Sequence, residues 1–551
     1  MTENSKKTPP HWLDKLTTDL IANWPEVESY NCNCGISVSG MQHVGRLRGE
    51  IVLTNAVVNE LKTRGYSATH YLILYTADPW KGKSAQLNSF TDPEVAKKYI
   101  DWRLIDVPDP TGQHSSWVDY FWKDFGDPLS QFSTPIEIIR THEFYQREEM
   151  KKAIIELIEN KEKVRTILNK YRKEKPFPED WIPFNPLCND CNRIGTTTAL
   201  EVNLKEYIVR YYCKACQKEG WSDMKVGKLT WRLEWLAIWY VLNVHFEPYG
   251  KDHATPGGSR DSCIEVLNTI LHHPGPYGFW NEWVGFSEGR TDYGDMTSSG
   301  FIGFTPTTWL RYAEPEVLRY IYLKPPPKRR IVLGLDKIPN YIAEFDKVQR
   351  VYFGIETFED DSELHTIRRS YEITFYDDVP KYTGFQLDYS HAIILSQLVS
   401  ADQEGTTQAI QKLQATGILT VPINKELENY IHNRLMRARN WVLEQAPPHY
   451  RINIPDNVTL DFIQKLDSKM IEQVNELKSA LTLVNWTEEE IKESMISLRE
   501  KFGLSRKDMN QFFGVLYQIF LGTPRGPRLA PFLAALDKKW VIERLQEINK
   551  S

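Results

Sequence analysis

A histidine and a glycine two positions apart, His43 and Gly45, lie in the segment GISVSGMQHVGRLRGE (35–50). The segment begins with small residues typical of a strand and ends as a charged helix. A helix that follows a parallel strand offers free backbone N–H groups and the positive end of its dipole, and both favour phosphate. Glycine lets a phosphate or base approach the backbone closely. By itself, this short pattern favours a structural histidine at a turn, and a phosphate-binding turn is the alternative that other segments must support.

Two later segments have similar chemistry. In GKDHATPGGSRD (250–261) the glycines suit a loop that admits a ligand, and Asp252 could accept hydrogen bonds from ribose hydroxyls. A glycine-rich connection without function is the alternative for this segment. In GDMTSSGFIG (294–303) a hydroxyl-rich loop between glycines precedes an amphipathic helix. This second segment is predicted to be a mobile loop that faces phosphate.

Seven cysteines are too few for a disulfide scaffold in 551 residues, and four of them form two closely spaced pairs. The pairs are Cys188-x-x-Cys191 and Cys213-x-x-Cys216, with 21 residues between them. Four thiolates at this spacing predict one structural zinc, held tetrahedrally with no open position for substrate. Cys32, Cys34 and Cys263 are predicted to be small buried residues.

The elements that must position these residues alternate between strand and helix. ISVSG (36–40) predicts a strand, LRGEIVLTNAVVNELKTRG (47–65) a helix that ends at Gly65, and ATHYLILYTADP (68–79) a buried strand. This β-α-β order predicts a parallel sheet, in which ligands bind beyond the carboxyl ends of strands. The alternation resumes from Trp231 to about Ile302, so the intervening cysteine-bearing region is predicted to be an insertion.

The overall composition is that of a soluble globular protein, with 41% hydrophobic and 25% charged residues. The formal net charge of −6 shows that the chain as a whole is not basic. Any nucleic acid would therefore have to bind to a local basic surface. The N-terminus has no apolar signal core, and the most apolar run is too short and polar to span a bilayer. These features indicate a reduced, cytoplasmic protein of several domains.

Taken in order, these segments resemble the class I aminoacyl-tRNA synthetases, and among them the archaeal-type lysyl enzymes. MQHVGRLRGE (41–50) is similar to the first class signature, and DMTSSG (295–300) stands where the second, lysine-containing signature falls. WLRYAEPEVLRYIYL (309–323) and FFGVLYQIFLGTPRGPRLAPFLAAL (512–536) are more specific matches. The resemblance spans nearly the whole chain.

The resemblance implies a split Rossmann-like parallel sheet with a zinc-binding insertion, followed by a mainly α-helical C-terminal domain. The expected boundaries are 1–105 and 229–302 for the two halves of the catalytic domain, 106–228 for the insertion, 303–350 for a connecting domain, and 351–551 for a helical domain that binds the tRNA anticodon.

The implied reaction is the activation of L-lysine with ATP to lysyl-adenylate, followed by transfer of the lysyl group to tRNA(Lys). Mg²⁺ is expected to accompany ATP. The protein is expected to be a monomer that does not associate with a membrane. The catalytic residues implied are His43, Gly45, Arg46, Met296, Thr297, Ser298 and Ser299. Those implied for ATP are His43, Gly45, Gly250, Asp252, His253, Gly257 and Gly258. Those implied for lysine are Gly35, Ser37, Trp231, His253, Tyr277 and Glu282, with core packing the alternative for Trp231 and Tyr277.

The chain departs from the family pattern at two places. Asp295 stands where the first signature lysine is expected, and no lysine follows Ser299. We expect another cation to compensate, with Arg290 the first choice; the candidates are Arg46, Arg48, Lys251, Arg260 and Arg290. The family often has a second zinc site, but Gln113 and Tyr120 replace two of its expected ligands beside Asp109 and His114. One zinc is therefore expected.

Three alternatives stay open at this stage. The first is a catalytically impaired synthetase paralogue that binds tRNA or activates lysine for another acceptor. The second is a class I synthetase of the glutamyl type. The third is a non-enzymatic zinc-ribbon protein that binds RNA.

Overall fold

The structure is a computed structural model that describes residues 10–172, 174–358 and 361–549. These residues divide into two compact units. The first contains the described residues up to Trp309, with Pro315–Gly334 and Thr357–Val379. The second contains Leu310–Glu314, Leu335–Glu356 and the described residues from Pro380 onwards. Residues 303–350 are thus divided between the units.

All the strands found in the described residues belong to the first unit. They are β1 Ser29–Ile36, β2 Ser67–Leu74, β3 Glu137–Arg140, β4 Phe184–Asn185, β5 Thr197–Asn203, β6 Ile208–Cys213, β7 Lys218–Asp223, β8 Lys228–Leu229, β9 Tyr249–Gly250, β10 Trp280–Asn281, β11 Val284–Glu288, β12 Thr291–Asp295 and β13 Ile331–Leu333. The α-helices wholly or mostly in this unit are Trp12–Asn23, Val44–Arg46, Thr54–Thr63, Ser84–Leu87, Pro93–Ala96, Trp117–Gly126, Thr141–Phe144, Glu148–Glu159, Lys161–Lys170, Trp231–Val241, Ser259–Ile270, Pro306–Leu310, Pro315–Leu323 and Asp361–Glu372.

A parallel sheet forms the centre of this unit. Strands β1, β2 and β3 are parallel neighbours in that order. On the other side of β1, parallel bridges join Cys32 to Phe246 and Phe246 to Tyr277, and β9 and β10 continue the same pairing. The chain therefore returns to the opposite side of β1 after building β2 and β3. The crevice between β1 and the segment before β9 is a topological switch point, where open α/β sheets bind ligands.

The predicted β-α-β unit is present, but its first strand lies earlier than expected. Strand β1 ends at Ile36, and the next residues leave the sheet as a loop. In that loop, Ser37 donates a hydrogen bond to the carboxylate of Asp78 (2.9 Å). The alternation of small and apolar residues in ISVSG therefore reflects loop contacts rather than strand pairing. Helix then continues from Val44 to Thr63 through a π-helical segment, Leu47–Leu53. Gly65 ends it at φ +91°, as predicted.

The region predicted as an insertion, residues 106–228, contains both a sheet strand and the cysteine pairs. Strand β3 pairs with β2 and so belongs to the parallel sheet. Strands β5, β6 and β7 form a separate antiparallel sheet, in which β5 and β6 lead from the first cysteine pair to the second and β7 follows it. Hydrophobic residues of the helices Glu148–Glu159 and Trp231–Val241 share one core.

The second unit contains helices and no strand among its described residues, as the sequence after Val351 predicts. Its helices are Ile338–Tyr352, Tyr389–Leu398, Gln403–Ala415, Lys425–Glu444, Leu460–Ile463, Ser468–Leu483, Glu488–Lys501, Arg506–Leu521, Leu529–Ala535 and Lys538–Gln546. Within it, buried Arg434 binds Asp346 at 2.8 Å and lies 3.7 Å from Glu314. Nowhere in the described part of the chain is a helix both long and apolar enough to cross a membrane.

Candidate active site

A cleft of about 590 Å³ opens at the carboxyl ends of the parallel strands, at the switch point beside β1. It brings together most of the residues named from the sequence. These are Gly35, Ser37, His43, Gly45, Arg46, Trp231, Gly250, Asp252, His253, Glu282, Met296, Thr297, Ser298 and Ser299. Three others, Gly257, Gly258 and Tyr277, do not line it.

His43 is at the start of the helix that follows β1, and only 6% of it is exposed. Burial, assisted by the charge of Arg46, lowers the pKa of His43 to about 3. Its imidazole is therefore neutral near pH 7. Nδ1 has no hydrogen-bond partner among the described residues. His43 is thus a neutral histidine with one unpaired ring nitrogen at the start of a helix, a position that favours phosphate. That nitrogen can donate a hydrogen bond to a ligand or accept one from it.

The two signature segments pack against each other. Val44 donates its N–H to the carbonyl of Phe304 (2.8 Å). A Cβ at Gly40 would stand 2.5 Å from the carbonyl oxygen of Ser298, so this approach needs glycine. Thr297 and Ile302 exchange backbone hydrogen bonds that close the hydroxyl-rich loop. The loop is thus held against the start of the helix.

Two of the cations nominated from the sequence to replace the signature lysines already have acidic partners. Arg46 pairs with Glu50 at 3.3 Å. Lys251 pairs with Glu282 at 2.6 Å and lies 3.9 Å from Asp295. Of these cations, only Arg46 lines the cleft.

The other nominated arginines lie elsewhere. Arg48 is fully buried and donates to the carbonyl of Glu282 (3.0 Å), and Arg260 is buried against the ring of Tyr249. Arg290, the first choice, is exposed between β11 and β12 and does not line the cleft. Arg330, which was not considered, lies 3.2 Å from Asp295. Arg290 was chosen because it is close to Asp295 in the sequence. That choice was wrong because the β11–β12 hairpin places Arg290 away from the loop.

Four acidic side chains that were not identified from the sequence also line the cleft, and they are called its acidic wall below. They are Glu50, Asp78, Glu234 and Glu247. Glu247 is buried and accepts hydrogen bonds from the indoles of Trp235 and Trp239, both at 2.6 Å. Burial raises its pKa, although these donors and Asn33 oppose the shift.

Glu234 belongs to a buried charge cluster at the same wall. Its carboxylate lies 2.7 Å from the ammonium of Lys228, which also binds Asp78. Burial would lower the pKa of Lys228, but the two carboxylates raise it instead, so Lys228 is charged. Two carboxylates and one ammonium leave one net negative charge beside the cleft when all three are ionised.

Aromatic side chains flank this wall. Trp231 is 47% exposed, so the alternative of core packing is wrong for it. Its ring lies 5.5 Å from that of His253, whose Nδ1 is 2.9 Å from Ser259 Oγ. Tyr277 is half-buried and pairs with Phe246 in the sheet. For Tyr277, the structure favours packing over ligand contact.

The four paired cysteines converge, with all ligand atoms within 4.8 Å of one another. Sγ of Cys188 is 3.6 Å from that of Cys216, and Sγ of Cys191 is 3.6 Å from that of Cys213. Zinc–sulfur bonds of about 2.3 Å at tetrahedral angles separate sulfurs by about 3.8 Å, so these thiolates fit zinc. This cluster could hold a metal ion.

The two cysteine pairs adopt the same backbone turn. Asn192 donates its N–H to the carbonyl of Cys188, and Gln217 donates to that of Cys213 in the same way. Asn192 and Gln217 both have positive φ, 57° and 59°. This repeated turn aims the two sulfurs of each pair to one side.

The residues that remain of the family's second metal site are engaged in a turn. The carboxylate of Asp109 accepts hydrogen bonds from the N–H groups of Thr111, Gln113 and His114, at 2.7–2.8 Å. Burial alone would raise the pKa of Asp109, but hydrogen bonds from Thr111 and His114 lower it to about 2. The side chain of His114 also lies 3.0 Å from it. Asp109 thus has a structural role in this loop.

Comparison with known proteins gives extensive similarity. The family described as tRNA synthetases class I (K) matches residues 10–376. A lysine–tRNA ligase of Aeropyrum pernix is 40% identical over 548 residues, 98% of each chain. One from Pyrococcus horikoshii is 30% identical over 97% of this chain and 99% of its own. The match to a solved glutamate tRNA ligase from Elizabethkingia meningosepticum covers 95% of this chain and 99% of that one, at 13% identity and a TM-score of 0.37.

Proposed function

Because the chain belongs to the class I tRNA synthetases of the lysine type, we propose that it is an ATP-dependent lysine–tRNA ligase. In the first step, a carboxylate oxygen of lysine bonds to the α-phosphorus of ATP, and the bond to the bridging oxygen of pyrophosphate breaks. In the second step, a terminal ribose hydroxyl of tRNA(Lys) attacks the lysyl carbonyl and releases AMP with a proton. The acidic wall of the cleft is the observation that carries the choice of lysine.

That wall distinguishes lysine from glutamate as substrate. Seven acidic side chains line the cleft, namely the four of the acidic wall and Asp252, Glu282 and Asp295, whereas Arg46 is the only arginine or lysine among its lining residues. A substrate with a second ammonium gains from such a wall, and a substrate with a second carboxylate is repelled by it. We assign the ammonium to Glu234 and Asp78, which share the single ammonium of Lys228 and so keep one net negative charge when ionised. Glu282 is not chosen, because Lys251 balances its single charge.

The phosphate side of the cleft is formed by neutral donors. The imidazole of His43, the first N–H groups of its helix and the hydroxyls of Thr297 and Ser298 would contact the triphosphate. Ser298 Oγ is buried and has no partner among the described residues, so it is free to donate. Mg²⁺ bound with ATP supplies charge neutralisation.

The remaining contacts follow from position along the cleft. The backbone at Gly35 and the hydroxyl of Ser37, at the end of β1, would hold the α-groups of lysine. Trp231 and His253 would cover its side chain, and Gly250 and Asp252 would face the adenosine. The glycine pair at 257 and 258 lies outside the cleft, so no ATP contact is assigned to it.

Zinc in the cysteine cluster would be structural, since its four sulfurs leave no open position. The helical second unit would bind the anticodon of tRNA, and translation places the enzyme in the cytoplasm. The protein would act as a monomer on ATP, lysine and tRNA. These assignments rest on family membership.

The test is the charging of total tRNA with each radiolabelled amino acid in turn. Lysine alone should be attached, and glutamate should neither be attached nor compete. ATP–pyrophosphate exchange with lysine, measured with and without tRNA, separates the ligase from an impaired paralogue. Absence of exchange with lysine and any tRNA would contradict the proposal.

A further inference from the structure

A lysine far from the second signature in sequence reaches it in the fold. Nζ of Lys83 donates a hydrogen bond to Oγ of Ser299 at 2.8 Å, across 216 residues of sequence. Ser299 belongs to the loop that has Asp295 in place of the expected lysine, with no lysine after it. The geometry points to Lys83 as the catalytic cation of adenylate formation, which contacts the departing phosphates of ATP. This inference rests on the proposed ligase function.

The segment that carries Lys83 is fixed to both signature segments. Lys83 precedes the short helix Ser84–Leu87 and donates its N–H to Oε1 of Gln86 (2.7 Å). Gln86 is fully buried and donates from Nε2 to the carbonyl of Ser39 (2.7 Å), in the loop that leads to His43. The backbone of Lys83 is therefore held relative to the cleft, and its side chain needs no large movement to reach a phosphate near Ser299.

Lys83 differs from the other cations near this loop in having no acidic partner. Lys251 pairs with Glu282, and Arg330 with Asp292 and Asp295. Among the residues that the structure describes, no carboxylate lies within ion-pair distance of Lys83. A cation held only by a hydroxyl can transfer to a phosphate oxygen without breaking a salt bridge, and so it keeps more of its interaction for the ligand.

Space for the leaving group lies beside Lys83. A second cavity of about 550 Å³ shares Ser37, Ser39, Asp78, Trp231 and Ser299 with the active-site cleft. Its lining includes the cations Lys81, Lys83, Arg172 and Arg232, together with Lys228, whose charge Asp78 and Glu234 balance. Asp78, the one acidic side chain among its described lining residues, is already paired with Lys228. Pyrophosphate released from the cleft would meet this positive surface at Ser299.

The chemical role follows from where charge develops. As the lysine carboxylate bonds to the α-phosphorus, the bond to the bridging oxygen breaks and its electron pair goes to pyrophosphate. Lys83 would donate hydrogen bonds to the β- and γ-phosphate oxygens and keep its proton throughout. Its contact strengthens as negative charge accumulates on the leaving group, so it should accelerate the step more than it tightens ATP binding.

The test compares Lys83→Met with the unmodified protein in ATP–pyrophosphate exchange with lysine and tRNA. The variant should lower kcat by about tenfold or more, equal to about 1.4 kcal/mol of barrier, with a smaller change in the KM for ATP. The KM for pyrophosphate should rise, and Lys83→Arg should restore much of the rate. Lys97→Met is the matched control, because Lys97 is exposed, pairs with Glu94 and lines neither cavity.

Transfer of lysine from synthetic lysyl-adenylate to tRNA involves no pyrophosphate, so Lys83→Met should leave its rate unchanged. Equal loss in transfer and exchange would show general structural damage and overturn the inference. Normal exchange by Lys83→Met would also overturn it while the ligase assignment stands. If the unmodified protein shows no exchange, the ligase assignment itself fails, and the two failures are thereby distinguished.

Discussion

The imidazole of His43 fills the space that a side chain at Gly45 would need. A Cβ built on Gly45 stands 2.8 Å from Nδ1 of His43, closer than real Cβ contacts, and 3.3 Å from Cβ of Val284. The glycine therefore accommodates the histidine ring as well as any ligand. The spacing of the two residues serves one function, the placement of a neutral imidazole at the start of a helix.

Gly45→Ala should slow adenylate formation by about tenfold or more, because the methyl group displaces the imidazole. The double variant His43→Ala/Gly45→Ala should be no slower than His43→Ala alone, since the displaced ring is then absent. Pyrophosphate exchange of the three variants gives the rates. A double variant much slower than His43→Ala would instead mean that the methyl group acts without the ring, by excluding the nucleotide or by displacing Val284.

His43→Ala should lower the exchange rate by about tenfold to a hundredfold with little change in tRNA affinity. His43→Asn, which keeps a neutral donor, should retain more activity. Because the pKa of His43 is lowered to about 3, the imidazole does not titrate between about pH 5.5 and 8. The unmodified protein and His43→Asn should therefore share one pH profile over this range, and a step unique to the histidine would disprove its neutrality.

The sequence predicts what depends on local pattern and misses what depends on tertiary packing. The β-α-β order, the helix end at Gly65 and the cluster expected from the cysteine spacing all depend on local sequence. The structure contains all three. Glu234 lies in an apolar run, and nothing in that run indicates that it faces the cleft. Lys83 meets Ser299 only because the segment after β2 and the loop after β12, strands of two different sheets, come together in the fold. Arg290 is close to that signature in sequence, yet the hairpin carries it away.

Glu234→Gln should raise the KM for lysine by about tenfold while the KM for ATP changes little. The substitution removes one of two carboxylates around Lys228 and cancels the net negative charge of the cluster. The side chain is buried, so a folded variant must first be shown by its thermal unfolding. Glu137→Gln, at an exposed position of β3 outside the cleft, is the control. An unchanged KM for lysine in a folded variant would remove Glu234 from the substrate site.

Metal analysis should find one zinc per chain. Cys191→Ser should lose the metal and lower the stability of the first unit, while exchange by the remaining folded protein stays close to normal. Cys263→Ser should retain zinc, because that buried thiol is not one of the four that converge in the cluster. Two tightly held ions per chain, or a folded and fully active chain without zinc, would contradict a single structural site.

His391 is an ionisable residue of the second unit whose charge depends on its neighbours. Its Nε2 lies 3.0 Å from Glu488 and its Nδ1 3.9 Å from Asp388. Burial alone would lower the pKa of His391, but these two carboxylates raise it to about 9. Arg528 is the nearby cation that acts on Glu488. Since the folded pKa exceeds the ordinary value of about 6.5, the stabilisation is complete below about pH 6.5 and is lost as pH rises through about 9.

His391→Gln should therefore destabilise the second unit by on the order of 2 kcal/mol near pH 6 and by much less near pH 10. Urea unfolding of both proteins at the two pH values measures the difference. His449→Gln serves as the control, because His449 is exposed and contacts no carboxylate among the described residues. If the loss caused by His391→Gln were equal at both pH values, the pairing with Glu488 and Asp388 would not stabilise the charged histidine, and its contribution would be packing alone.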